Sequence, residues 1–283
     1  DSSYPADRLL QAADPGALDE LARVSFGLDQ HPEIAPYLRA VSRTAFMDSL
    51  TAGKLPLEWA NMRMVSDDPA KGLGKAEREQ MMPVQLLEAL GRPSTEVALI
   101  SPYFVPTALG VDAFVALAAR GVKVHILTNS LEATDVSVVH SGYAHRRKPL
   151  LEGGVELYEM RRLSPEPEEG RAGPFGSSPS SLHAKTIAVD RSRVFIGSFN
   201  FDPRSTWLNT ELGFVIESPA LADRIEDLFL GPIVQNVYRV KLSESGELYW
   251  LEQRGDETVR HDTEPGTSIW LRSWIGFLSL LPI

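Results

Sequence analysis

The sequence predicts an α/β protein: a mixed β-sheet flanked by helices, preceded by a helical segment. Two observations carry that expectation. From Glu96 onward, short apolar runs alternate with amphipathic stretches, the pattern of strands covered by the helices that follow them. Before about residue 90 the apolar spacing is helical instead. The 283 residues, 43% of them hydrophobic, suffice for a sizeable core.

In chain order, "PGALDELARVSF" and "EIAPYLRAVSRTAFMDSLTAG" read as helices, the second stopped at Gly53. The polar, glycine-containing stretch from Val65 to Glu79 leads into the helical "QMMPVQLLEALG". "EVALISPYF" is a buried strand, "VDAFVALAARG" a helix ended by Gly121, and "VKVHILTN" the next strand. Residues 135–152 form a helix ended by Gly153 and Gly154, after which "VELYEM" is again a strand. A loop rich in Pro, Gly, Ser and Glu, residues 162–181, has the length and composition of a lid or binding loop or of a disordered segment. "LHAKTIAVD" and "VFIGS" then form a hairpin through a turn at Asp190, and "TELGFVIE" is a further strand. The tail "SIWLRSWIGFLSLLPI" gathers Trp270, Leu271, Trp274, Ile275, Phe277, Leu278, Leu280 and Leu281 around Arg272. It is expected to bury against the protein, with interfacial membrane contact as the alternative.

Charge and composition exclude some classes of function. A net charge of −10 repels nucleic acid, and no nucleic-acid partner is expected. No cysteine is present, so disulfides and thiolate metal sites are excluded. No window approaches the roughly 20 apolar residues that span a bilayer. The chain opens at Asp1 without an initiator Met or signal segment, as an internal or processed piece would.

The chemistry concentrates in one stretch. Strand alternation sends His183 and Lys185 to one face, and the hairpin returns Ser198 and Asn200 towards them. Glu211 is placed to hold one imidazole nitrogen of His183. A phosphodiester accumulates negative charge on its equatorial oxygens during substitution. An ammonium, a hydroxyl and an amide suit that charge, while an imidazole can attack phosphorus or move the proton. Lys185 beside the histidine opposes a divalent cation, so neither metal nor cofactor is expected.

The pattern His183-x-Lys185-x4-Asp190-x6-Gly197-Ser198-x-Asn200, followed by Glu211, resembles the HKD signature of the phospholipase D superfamily. "ISPYFVP", "RGVKVHILTNSLEATD", "GYAHRRKPLLEGGVELYE" and "FDPRSTWLNTELGFVIESP" are similar to the second half of bacterial cardiolipin synthases, nearest to their C type. The resemblance implies that His183, Lys185, Ser198, Asn200, Glu211 and Asp190 form the motif, Asp190 fixing the hairpin turn. It implies residues 1–90 as a helical connection between halves and 91–283 as the catalytic half. It further implies phosphatidyl transfer through a phosphohistidine, with phosphatidylglycerol and a second phospholipid as substrates, at the bacterial inner membrane by peripheral association. Tyr103, after a strand end, and His140, Tyr143 and Lys148, on the helical segment, are candidates for lining the substrate cleft. Lys148 closes the basic run from His145 and could meet an anionic headgroup.

One departure stands out. No second His-x-Lys exists: His31, His125, His140, His145 and His261 are followed two residues on by Glu33, Leu127, Gly142, Arg147 and Thr263. A complete site therefore calls for a companion half or a second chain. The alternatives are a homodimeric phosphodiesterase or nuclease with one motif per chain, and a silent half acting as a scaffold.

Overall fold

The computed structural model describes residues 45–55, 57–134, 136–162, 182–231 and 233–279, with Gly16, Asp19, Glu20, Ala22 and Arg23. The chain separates into two compact units, Asp1–Trp59 and Ala60–Ile283. In the first, helix α1 (Ala45–Thr51) ends at Gly53, which takes the left-handed φ of 65° that suits a glycine stop. Within the helix read over "PGALDELARVSF", the described residues Gly16, Asp19, Glu20, Ala22 and Arg23 are helical, and the remaining readings before residue 44 lie outside the described residues.

The second unit is built on a ten-stranded sheet: β1 (Asn61–Ser66), β2 (Glu96–Ile100), β3 (Lys123–Asn129), β4 (Glu156–Met160), β5 (Thr186–Val189), β6 (Arg193–Gly197), β7 (Leu212–Glu217), β8 (Val237–Leu242), β9 (Leu248–Arg254) and β10 (Glu257–His261). Their spatial order is β1-β7-β6-β5-β2-β3-β4-β8-β9-β10. Only β2–β3 and β3–β4 pair in parallel, through helical crossovers; the remaining neighbours are antiparallel. The mixed α/β sheet read from the sequence is present, and it is wider than the sequence segments suggest.

Strand β1 departs from the helical reading of residues 1–90. Its partner β7 lies some 150 positions downstream, so no local period announces it; Val65 turns inward and is buried, while Met62 and Met64 stay exposed. Helix α2 (Met82–Leu90) does follow the local signal. It starts at Pro83, buries Met82, Leu86 and Leu90 at spacing four, and stops at Gly91.

Helix α3 (Ala108–Ala119), capped by the Thr107 hydroxyl, links β2 to β3. The helix expected over 135–152 is two helices, α4 (Ser137–Ala144) and α5 (Arg147–Glu152). Pro149 lacks the N–H that a continuous helix would donate to His145, so the chain breaks there. Residues from α2, α3 and α5 bury one face of the sheet around Leu99, Val124, Leu157 and Phe195. A short helix α6 (Pro203–Trp207), capped by the Asp202 carboxylate, lies between β6 and β7 in the chain, and the other face packs Ala98, Ile100, Ala188 and Val194 against Ala222 and Ile225 of α7 (Pro219–Leu228) and against Phe229.

The apolar tail forms helix α8 (Ile269–Leu278), and only one side of it is buried. Ile275 and Leu278 pack with Leu131, whereas Trp270, Trp274 and Phe277 are 82%, 54% and 56% exposed. Leu280 and Leu281 lie outside the described residues. Among the described residues no helix is long and apolar enough to cross a membrane.

Candidate active site

Strands β5, β6 and β7 bring the HKD residues to one end of the sheet. Ile187 pairs with Phe195 and Gly197 with Gly213, so the hairpin and its neighbour are in continuous register. The ladder extends past β5, where Gly197 N donates to the Lys185 carbonyl at 3.2 Å. Gly197 and Gly213 leave room for the Phe195 ring: a Cβ at either would come within 2.6 Å or 2.2 Å of it. A side chain at Gly197 would therefore push the hairpin off β7.

His183 is exposed, and its carbonyl accepts from the Lys185 ammonium at 2.9 Å. Ser198 pairs across to β7, its N–H donating to Leu212 O at 2.9 Å and its Oγ accepting from Leu212 N at 3.1 Å. The Ser198 hydroxyl proton is donated to the Glu211 carboxylate. Glu211 thus holds Ser198, not the imidazole of His183 as the triad analogy expects. Residue 198 lies beside 211 across the β6–β7 ladder, which is the nearer neighbour. Asn200 is half-buried, and its Oδ1 is a buried acceptor with no hydrogen-bond partner.

Two positioning groups lie outside the motif and escape sequence reading. Asn129, buried at the end of β3, accepts from Leu182 N at 2.9 Å and donates to Leu182 O at 3.3 Å. That amide clamp fixes the backbone immediately before His183. Asp67, just after β1, accepts from Glu211 N at 2.8 Å, from Met82 N at 2.7 Å and from Lys71 Nζ at 2.7 Å, with both ionic side chains fully buried. Lys71 also donates to Ser205 O at 2.8 Å. The only sequence signal was an Asp and a Lys four residues apart in a polar loop, which ordinarily reads as solvated.

Asp190 sits at the other end of β5, about 16 Å from Lys185 at strand rise, and takes no part in the pocket. It adopts φ of 51°, and its carboxylate accepts from the N–H groups of Ser94, Thr95 and Glu96 at 2.8–3.1 Å. Burial pushes its pKa up, but those donors outweigh it and hold the carboxyl down to about 2. A depressed carboxylate stabilises the fold above its ordinary pKa near 4 and loses that contribution as pH falls towards 2. Unfolding of the Asp190→Asn variant is therefore expected to show a weaker pH dependence between about pH 4 and pH 2. Identical acid titration curves for the two proteins, followed by circular dichroism, would contradict this.

The substrate candidates scatter. Tyr103 lies in the bend after β2, beyond the last β2–β5 pair, and its carbonyl accepts from the Ser101 hydroxyl at 2.7 Å. His140 and Tyr143 do not line the cleft: both are buried, stacked edge to face at 5.6 Å between ring centroids. They surround Arg147, whose guanidinium pairs with His140 Nε2 at 2.6 Å, with Glu159 at 2.8 Å and with Glu264. Burial alone would raise the Glu264 pKa, yet the Arg147 charge and His140 hold it down to about 2. The basic run thus turns its central arginine inward, because helix α5 faces the carboxylates of β4 and of the loop before α8. Lys148 is exposed beside Gly246 in the β8–β9 turn, remote from the hairpin in the fold. Residues 163–181, read as a lid or binding loop, lie outside the described residues. Among the described residues no cluster of His, Asp or Glu could hold a metal ion.

An exposed imidazole can transfer a proton, and an ammonium two residues away can offset charge on a bound oxyanion. Residues 86–231 match the family model described as "Cardiolipin synthase, PLD-like domain". The chain is 46% identical over 251 residues to cardiolipin synthase C of Escherichia coli strain K12, covering 87% of this chain and 52% of that protein. It is 29% identical over 240 residues to an uncharacterized protein of Helicobacter pylori strain ATCC 700392 / 26695, covering 84% and 46%. It therefore spans about half the length of these relatives. Among solved structures, Nuc from Salmonella typhimurium, a phospholipase D family member, superposes with a TM-score of 0.46 at 20% identity, covering 65% of this chain and 99% of that one. With just over half of its length matched by the family model, this chain belongs to the phospholipase D-like family of cardiolipin synthases.

Proposed function

We propose that this chain carries one half of a phosphatidyl-transfer site that makes cardiolipin from two phospholipids. The observation that supports this most directly is the gathering of His183, Lys185, Ser198 and Glu211 at one end of the β5–β6–β7 ladder in a chain of this family. A histidine of the companion half, or of a second copy, attacks the phosphorus of the donor lipid. His183 protonates the departing head-group oxygen. It then takes the proton of the incoming hydroxyl, from phosphatidylglycerol, as that oxygen displaces the phosphohistidine. The Lys185 ammonium and the Asn200 amide face the equatorial oxygens, where charge grows. Glu211 orients Ser198 through its hydrogen bond, so the serine acts by position more than by free charge.

Two histidines are required because the leaving oxygen departs opposite the attacking nitrogen, and one imidazole cannot serve both sides. The exposed Trp270, Trp274 and Phe277 of α8 support peripheral association with the bacterial inner membrane, where the substrates reside, since aromatic side chains favour the membrane interface. Under this reading the monomeric chain produces no cardiolipin from phosphatidylglycerol in mixed micelles, and adding a separately expressed companion half restores synthesis. Sustained turnover by a demonstrated monomer would sink the half-site account. Activity that vanishes on dilution would move the second histidine to another copy of this chain.

A further inference from the structure

One feature of the fold is unexplained by proton transfer. Between α2 and α3, on one face of the sheet, lies a cavity of about 570 Å³, a volume typical of small-molecule sites. Its floor includes Leu99 and Ile187 from the strands and Phe199 from the motif, and its rim carries Leu87, Leu109 and Trp207. Those three rim side chains are 72%, 81% and 56% exposed, so the opening is apolar as well as the interior.

The cavity begins two residues from Lys185, and no HKD side chain is itself part of its lining. Strand alternation puts Ile187 and Val189 on the same face of β5 as Lys185, and both line the cavity. Ile187 follows Lys185 by about 7 Å of strand rise. Phe199 and Phe201 flank Asn200 in the chain, and both also face the cavity. The space runs from this end towards Gly91, Pro93 and Val189, near the Asp190 turn, about 13 Å along the strand. A group held at Lys185 thus lies about 7 Å of strand rise from an apolar cavity.

We infer that this cavity takes one acyl chain of the phospholipid whose phosphate is held at Lys185. The inference rests on the phosphatidyl-transfer reading for its choice of lipid, and it adds where the chain goes. A phosphatidyl group carries two fatty chains on its glycerol, and holding one of them inside the protein fixes the diester against His183 while the other stays with the membrane. The ligand that fits has a single unbranched hydrocarbon tail joined to an anionic diester. The polar side chains of the lining, Thr107, Asp202 and Thr206, already bond backbone groups of their own turns, so a sugar, nucleotide or peptide would find little to bind there.

The test uses the whole 283-residue chain and binding rather than turnover. Dihexanoyl and dioctanoyl phosphatidylglycerol, both below their micelle concentrations, are titrated by the change in tryptophan fluorescence, with octanoic acid as the arm lacking the diester. Each methylene that enters the cavity should tighten binding roughly fourfold. Ala113 lies on the cavity side of α3 and is exposed, so Ala113→Trp should fill the space and weaken dioctanoyl phosphatidylglycerol at least about tenfold. Ala119→Trp, on the same helix but outside the cavity lining, should bind as the parent does. Lys185→Ala should weaken the phospholipid and leave octanoic acid unchanged. His183→Asn should bind both lipids normally, so loss of synthesis by that variant speaks to the chemistry alone. The inference is overturned by affinity independent of chain length or by an unaffected Ala113→Trp variant. It is also overturned by octanoic acid binding with no phospholipid binding, or by a crystal structure in which residues 1–44 of the chain fill the cavity.

Discussion

Replacing His183 by asparagine is expected, under the proposed half-site, to lower cardiolipin formation by the chain joined to its companion half by at least roughly 10²–10⁴-fold, the usual worth of a general acid–base group. Asparagine keeps a polar side chain of similar reach but cannot shuttle a proton. His183 is exposed and its side chain ties no buried contact, so thermal unfolding should stay within about 0.5 kcal/mol of the parent. The measurement is the initial rate of cardiolipin appearance by mass spectrometry, beside a melting curve. A loss below about tenfold would remove His183 from the proton path. A large loss accompanied by a collapse in melting temperature would show a structural defect instead.

Asp67→Ala is expected to be the most destabilising single change near the site. The Asp67–Lys71 pair is fully buried, and removing the carboxylate leaves the Lys71 ammonium with only the Ser205 carbonyl among its present partners. Breaking such a pair typically costs about 3–5 kcal/mol. For a unit of this size each kcal/mol lowers the melting temperature by roughly 2–4 °C, so a drop of roughly 6–20 °C follows. The same change frees Glu211 N and Met82 N, which the carboxylate holds. Activity at temperatures where the variant stays folded should therefore fall through kcat more than KM, because Ser198 loses its anchored carboxylate partner. Pairing Asp67→Leu with Lys71→Met should recover most of the stability, since an apolar pair of similar volume needs no compensation. A drop under about 1 kcal/mol for Asp67→Ala would show that the pair is not tied into the fold as its geometry implies.

Residue pattern alone sufficed wherever the determining interactions are local. The strands β2 to β7 were legible from apolar period and length, and the hairpin from the turn chemistry at Asp190. The return of Ser198 towards the Lys185 end was legible from two strands joined by a short turn, where Gly197 N reaches the Lys185 carbonyl. Family membership was likewise legible, because the HKD spacing is confined to one stretch.

What required the tertiary structure is everything that depends on partners far apart in the chain. Strand β1 exists because β7 offers it a ladder, which no local period records. Glu211 bonds Ser198 instead of His183 because cross-strand register, and not the chemical analogy, decides which hydroxyl or ring lies nearest. Arg147 turned from a surface cation into the centre of a buried network only once β4 supplied Glu159 and the loop before α8 supplied Glu264. The Asp67–Lys71 pair and the Asn129 clamp belong to the same class, since Asp67 reaches Glu211, Lys71 reaches Ser205 and Asn129 holds Leu182, each far along the chain. A sequence carries the periodicity of its own elements, whereas burial and hydrogen-bond choice are settled by whichever element the folded chain sets alongside.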